Sequence, residues 1–270
     1  MRIGVVAPST PVAAEIAARV AEIAEEFAGL RVKFHPQCFL SHNHFAGPDA
    51  ARADAFVEVA NDPAYDALWF GRGGYGSCRI AEDVLGRLGG AAGDKIYFGY
   101  SDAGYLLGGL YAAGIGRPVH GPMPGDLRRP DGEAAVRRAL SWFADGGSGL
   151  EPSLRGGDKV AAFNVTVFSQ LLGTSLQPDL AGHVLMLEDV AEFMYRTDRS
   201  MFHITSNPGV REVAGIKLGR CTEVPLNDPD FGESEEEVFE HWCRRSGIPY
   251  LGRADIGHDS QNKVVPFGGV

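Results

Sequence analysis

From residue 2 to residue 144, apolar runs of strand length alternate with helix-period segments, and the links between them are short. That alternation is the strongest constraint on the chain. Strand–helix–strand units with short connections close as a parallel sheet with right-handed crossovers. Strands are expected at 2–7, 30–34, 67–70, 95–100 and 118–120, with helices near 50–60, 78–88, 103–113 and 132–144. Before the second strand, Thr10 reads as a helix N-cap with Pro11 at the first helical position, and Ile16, Val20, Ile23 and Phe27 form one apolar stripe. The stretch 145–158 (DGGSGLEPSLRGGD) lacks apolar periodicity and reads as an inter-domain linker. Beyond it, helices near 164–172, 195–205 and 234–245 alternate with strands near 183–187, 214–218, 249–253 and 264–266. The expected class is α/β: a flavodoxin- or Rossmann-like N-terminal domain (1–147), a linker (148–160) and a smaller C-terminal α/β domain (161–270). In open parallel sheets, sites form beyond the carboxyl ends of the strands.

Composition removes several functions. With 25 Lys+Arg against 35 Asp+Glu the net charge is −10, and a chain that tracks phosphates needs a basic face, so no nucleic-acid partner is expected. The apolar segment 106–115 is too short and too glycine-rich to span a bilayer, and the start MRIGVVAPST lacks the pattern of a signal peptide. Cys38, Cys78, Cys221 and Cys243 are scattered without a CxxC pair, which fits a reducing cytoplasm and offers neither a disulfide framework nor a metal site. The expectation is a cytoplasmic protein without membrane contact, metal or cofactor. The 36 glycines in 270 residues are about twice the usual share, with no collagen period. Of these, 16 fall between Gly71 and Gly125, so local backbone geometry is their purpose.

Gly71-Arg-Gly73-Gly74-Tyr-Gly76 satisfies GxGxxG between a strand and a helix. It has three readings. One is an NAD(P)-binding turn in an oxidoreductase, against which stand its place after the third strand and the intrusion of Arg72 and Tyr75. A second is a tight turn with no ligand. A third is a loop whose bare N–H groups face a developing oxyanion. Nearby, Gly99-Tyr100-Ser101-Asp102 puts a serine where a buried strand stops and a helix begins, as in a nucleophile elbow. A serine in that position also commonly just caps the helix. A nucleophilic serine needs a base and an orienting acid. Glu188-Asp189 at the end of an apolar strand offers carboxylates, Gly257-His258 offers an imidazole, and His120 ends a strand on the same face.

Taken in order, GVVAPS, Gly71–Gly76, Gly99-Tyr-Ser-Asp102, His120-Gly-Pro-Met123, Leu187-Glu-Asp-Val190 with Tyr195 and Asp198-Arg199, and Gly257-His258 with Asn262 and Pro266 resemble the L,D-carboxypeptidase family of serine peptidases. The resemblance runs over nearly the whole chain. It implies a two-domain α/β fold with the site in the cleft between the domains, often in homodimers. It also implies a Ser101–His258–Glu188 triad and an oxyanion hole from the N–H groups of Gly74 and Asp102. The implied activity is release of a terminal D-amino acid from a cytoplasmic muropeptide during peptidoglycan recycling. A microcin-type peptidase cleaving a carboxamide is the alternative within the family, and the oxidoreductase is the alternative outside it. For the small peptide substrate, Arg72, Tyr75, His120 and Arg199 are candidate contacts, with Lys217 a further cation. Ala162-Phe163-Asn164-Val165 departs from the Gly-Gly-Asn-Leu-like segment usual in the family, and the end at Val270 falls short of the further strand members often carry.

Overall fold

The computed structural model describes residues 1–269. The first half forms β1 (Arg2–Val6), α1 (Ala14–Glu25), β2 (Arg31–Phe34), α2 (Asp49–Asn61), β3 (Ala67–Phe70), α3 (Ala81–Gly86), β4 (Ile96–Gly99), α4 (Gly104–Ala112), β5 (Arg117–His120) and α5 (Gly132–Asp145). The second half adds β6 (Lys159–Asn164), α6 (Val165–Leu171), β7 (Val184–Val190), α7 (Met194–Ser206), β8 (Gly215–Thr222), α8 (Glu235–Ser246), β9 (Tyr250–Arg253), β10 (Val265–Pro266) and β11 (Gly268–Gly269). Strand order is β10-β5-β4-β3-β1-β2 in the first sheet and β11-β6-β7-β8-β9 in the second. All pairings are parallel except those of β10 with β5 and β11 with β6. The α/β class with two mostly parallel sheets is therefore as expected. Among the described residues, no helix is long and apolar enough to cross a membrane.

Strands β3 and β4 are buried along their whole length, as strands covered by helices on both faces must be. Three local expectations are corrected. Thr10 does not cap α1, which begins at Ala14 behind Ala13 and without a side-chain cap. The Thr10 hydroxyl instead donates to the Gly73 carbonyl at 2.6 Å, and the Val12 N–H donates to the Cys38 carbonyl at 2.9 Å, so tertiary bonds hold this segment out of the helix. Strand β6 was not expected at all. Its run KVAAFN has no alternation because five of its six residues are buried. The expected helix at 78–88 is a 3-10 turn (Ser77–Arg79) followed by the six-residue α3.

The two halves share one core in addition to a cluster of their own on each side, around Trp69 and Phe98 in the first half and around Met186 and Ile256 in the second. One apolar cluster runs from Phe56 and Phe70 through Leu106 and Phe163 to Leu187 and Phe239. Its seam is α4 against α6. A Cβ at Gly104 would lie 2.9 Å from Val167 Cγ1, and one at Gly108 would lie 2.6 Å from Leu171 Cδ1. Residues four apart share a helix face, so this glycine pair lets α6 sit directly on α4. The chain end binds the halves a second time: Val265 pairs with His120 in the first sheet and Gly268 with Val160 in the second. The stretch 145–158 is anchored as well, through a Leu150–Val264 bridge and a buried Glu151. Gly108→Val is expected to lower stability by about 1–3 kcal/mol, the usual penalty for overfilling a packed interior. Urea denaturation checks this, and an unchanged midpoint would mean that the seam has slack.

Candidate active site

Ser101 stands two residues past the end of β4, after Tyr100, and takes φ = 62°, a left-handed conformation rare for a residue with a side chain. Such a residue costs of order 1–3 kcal/mol and persists only where its surroundings hold it. Several contacts do so here. Asp102, buried, accepts from the Ser9 hydroxyl and from the Ser77 N–H at 2.9 Å, while the Ser77 hydroxyl donates to the Asp102 carbonyl. Burial pushes the Asp102 carboxyl above the usual range. One residue thus joins the loop after β1, the glycine loop and the serine turn. Arg52, fully buried, adds a second tie by donating to the carbonyls of Pro8 and of Gly76, the latter at 2.9 Å.

The glycine loop lies against the serine. A Cβ on Gly73 would come within 3.0 Å of Ser101 Oγ, so only glycine admits the hydroxyl there. Gly74 has φ = 115°, and its Cα faces Thr10. Neither the Gly74 N–H nor the Asp102 N–H donates to a backbone acceptor outside its own element among the described residues. This arrangement removes the dinucleotide reading of the loop. A pyrophosphate needs the N-terminus of a real helix, and here the loop runs into a three-residue 3-10 turn with its interior occupied by Ser101 and Thr10.

His258 comes from the loop between β9 and β10. Its Nε2 lies 2.9 Å from Ser101 Oγ and its Nδ1 2.5 Å from Glu188 Oε2. Glu188 has no exposure and His258 is buried. Burial alone would lower the imidazole, but the Glu188 charge and hydrogen bond outweigh it and hold His258 above its ordinary value. The two adjacent carboxylates of β7 separate because successive strand residues face opposite ways. Asp189 accepts from Asn164 Nδ2 at 2.7 Å and from the Thr166 hydroxyl at 3.2 Å, and burial together with the Glu188 charge pushes it up to about 7. Asn164, part of the segment that departs from the family, also caps α6 by accepting from the Val167 N–H at 3.0 Å.

Ser101, His258, Gly74 and Arg72 line one cavity of about 250 Å³. The other expected substrate contacts lie elsewhere, and the reason in each case is packing. His120 is buried behind Tyr100, with ring centroids 5.5 Å apart, and its Nε2 donates to Asn262 Oδ1 at 3.1 Å. Burial pushes it down to about 4, so it is neutral and structural. Tyr75 turns outward onto Phe45, with centroids 6.1 Å apart. Arg199 is exposed on α7 beside Tyr195, and Lys217 donates to the Ser153 hydroxyl at 2.8 Å. The sequence reading missed Tyr100 and Asp126. The Tyr100 hydroxyl donates to Asp126 Oδ1 at 2.6 Å, and its ring packs on His258 with centroids 4.8 Å apart. The segment Met123–Arg129 supplies much of the remaining wall, and its only signal in sequence is its position after a strand end.

Two family descriptions divide the chain between them: LD-carboxypeptidase N-terminal domain matches residues 3–121 and LD-carboxypeptidase C-terminal domain matches residues 159–270. A putative carboxypeptidase of Synechocystis sp. is 32% identical, over 84% of this chain and 77% of its own length. A murein tetrapeptide carboxypeptidase of Pseudomonas aeruginosa is 26% identical, over 99% of this chain and 91% of its own. The crystal structure of a muramoyltetrapeptide carboxypeptidase from Oxalobacter formigenes aligns with a TM-score of 0.83 at 23% identity, over 98% of this chain and 93% of that one, which speaks for a common fold. Both halves match in order and a relative above 30% identity spans most of the chain, so this protein belongs to the LD-carboxypeptidase family and is a peptidase.

Proposed function

We propose that the protein is a serine peptidase that cleaves the L,D-peptide bond of a murein tetrapeptide and releases its terminal D-amino acid, as a step in cytoplasmic peptidoglycan recycling. One observation carries the mechanism: the hydrogen-bonded line Ser101 Oγ–His258 Nε2 (2.9 Å) and His258 Nδ1–Glu188 Oε2 (2.5 Å). The substrate class is supported by the murein tetrapeptide activity named for the Pseudomonas aeruginosa relative.

In this reading, Ser101 Oγ attacks the scissile carbonyl while its proton passes to His258 Nε2. Glu188 accepts from Nδ1–H, which fixes the tautomer and stabilises the imidazolium. The carbonyl oxygen becomes an oxyanion facing the N–H groups of Gly74 and Asp102. When the intermediate collapses, the C–N bond breaks and His258 returns the proton to the leaving amine. Water, deprotonated by the same imidazole, then hydrolyses the acyl-serine. Tyr100 keeps the imidazole plane in register, since its own hydroxyl is committed to Asp126. The carboxamide-cleaving alternative would need a platform for a nucleobase. Trp69 and Trp142 are buried, Trp242 lies against Phe202 on the α7–α8 face, and no tryptophan lines the serine cavity among the described residues.

Ser101→Ala and His258→Ala are each expected to abolish release of D-alanine from the tetrapeptide, followed by chromatography, with the fold intact by circular dichroism. Turnover by the Ser101→Ala protein would overturn the mechanism. His258 must be neutral to accept the proton, and its folded value is raised, so kcat/KM should fall on the acid side with an apparent pKa above the ordinary ~6.5. Glu188→Gln removes the charge that raises it. That variant should move the acid limb to lower pH and cut kcat by up to about 10⁴, the scale set by an asparagine in the equivalent role elsewhere. Gly74→Ala places a Cβ 2.6 Å from Thr10 Cγ2 and turns the N–H aside. Loss of one oxyanion donor should lower kcat by about 10²–10³ while KM stays within a few-fold.

A further inference from the structure

Two arginines in the serine cavity have no part in the mechanism above. Arg72 follows the first glycine of the loop, and Arg128 lies in the turn after β5. Both also line a second cavity of about 250 Å³, whose apolar side is Pro11, Val12 and Ile16 at the start of α1. The two loops are tied together. The Gly125 N–H donates to the Gly71 carbonyl at 2.9 Å, and the Arg72 stem crosses Gly125 so closely that a Cβ there would lie 3.0 Å from Arg72 Cγ.

The charge balance at this place is uneven. The neighbouring Arg129 is matched by Asp126 at 3.5 Å and Glu223 at 3.3 Å. Arg72 donates only to the Pro11 carbonyl, at 3.2 Å, and neither it nor Arg128 has a carboxylate partner among the described residues. Unpaired arginines are ordinary on a protein surface. A half-buried one beside a second, both lining the cavity that holds the Ser101 hydroxyl, is not. Burial and the Arg128 charge both work against the Arg72 cation. An anion bridging the two guanidiniums would relieve that repulsion, and a carboxylate matches the planar donor fork of each.

We propose that Arg72 and Arg128 together bind a carboxylate carried by one of the two residues that the scissile bond joins, and that this contact selects the substrate. The inference rests on the peptidase reading above. Two carboxylates have suitable chemistry: the terminal one, two bonds from the leaving nitrogen, and the side-chain one of a penultimate diaminopimelate residue. The apolar second cavity takes aliphatic substrate atoms next to the bound carboxylate.

The test is steady-state kinetics of the full chain on three peptides: a murein tetrapeptide with a free terminus, its terminal carboxamide, and the same peptide with lysine in place of diaminopimelate. Arg72→Ala and Arg128→Ala are each expected to raise KM for the first peptide about tenfold or more with kcat within about threefold, as loss of a charge-assisted contact made equally in ground and transition states does. Arg128→Lys should recover part of the loss, since it restores the charge without the fork. For the unaltered protein, whichever peptide lacks the bound carboxylate should show the same rise, and the alanine variants should no longer distinguish it from the first. That comparison identifies which carboxylate is held. KM values within about twofold of the unaltered protein for both variants on all three peptides would overturn the proposal while leaving the peptidase reading in place. If the unaltered protein cleaves none of the three, the peptidase reading fails instead. Calorimetry of the Ser101→Ala protein with the acid and carboxamide peptides then decides the arginine pair separately: discrimination that disappears with Arg128→Ala supports it, and equal binding overturns it.

Discussion

Closing the gap between the two sheets is what brings Ser101 within hydrogen-bond distance of an imidazole 157 residues further along the chain. Ser101 stands at the head of α4, and α4 is the helix that packs on α6 of the second half. The seam that joins the halves therefore begins within a turn of the Ser101 hydroxyl. A displacement of about 1 Å at a catalytic contact can cost two orders of magnitude in rate, so under the proposed mechanism Gly104 and Gly108 bear on the site although neither touches it. The antiparallel pairing of β10 with β5 fixes the same gap from the other side. It holds the His258 loop by its C-terminal end, and His120 and Asn262 fill the space beneath.

Within that frame, each buried carboxylate of the site has a partner, while Glu188 Oε1, Asn262 Nδ2 and Arg52 Nε have none among the described residues. A buried carboxylate is costly unless it is matched. Glu188 meets His258, Asp102 meets the hydroxyl and N–H groups of Ser9 and Ser77, Asp126 meets Tyr100 and the Met123 N–H, and Asp189 meets Asn164 and Thr166. Two of these four pairings hold a backbone N–H, one holds two side chains at the start of α6, and one holds the imidazole. The left-handed serine is held by this lattice of bonds, which explains why a strained turn survives at the centre of the molecule.

Much of this was legible in the sequence. The five strands of the first half follow from short apolar runs between helix-period segments, and Ser101, Glu188 and His258 were identifiable from strand-end position and from the ordered resemblance. What was not legible had physical reasons. Thr10 and Pro11 carry a helix-start signal, yet Thr10 serves the Gly73 carbonyl, a partner 63 residues away. β6 has no alternation, so nothing local separates it from the linker before it. His120, Tyr75 and Arg199 looked like substrate contacts because residue type and loop position say nothing about which way a side chain turns. Arg128 and Asp126 carried no motif and are recognisable only once β5 lies beside β4.

The sequence by itself determined the α/β class, the glycine-dense ends of β3 and β4, and the residue types able to do acyl-transfer chemistry, because periodicity, turn propensity and functional groups are properties of short segments. Only the tertiary structure decided that Asp189 turns to Asn164 while Glu188 meets His258, that His120 is buried behind Tyr100, and that the glycine loop sets Gly73 against the Ser101 hydroxyl. Each of those choices depends on which surfaces two sheets bury against each other, and burial is set by contacts between residues far apart in the chain.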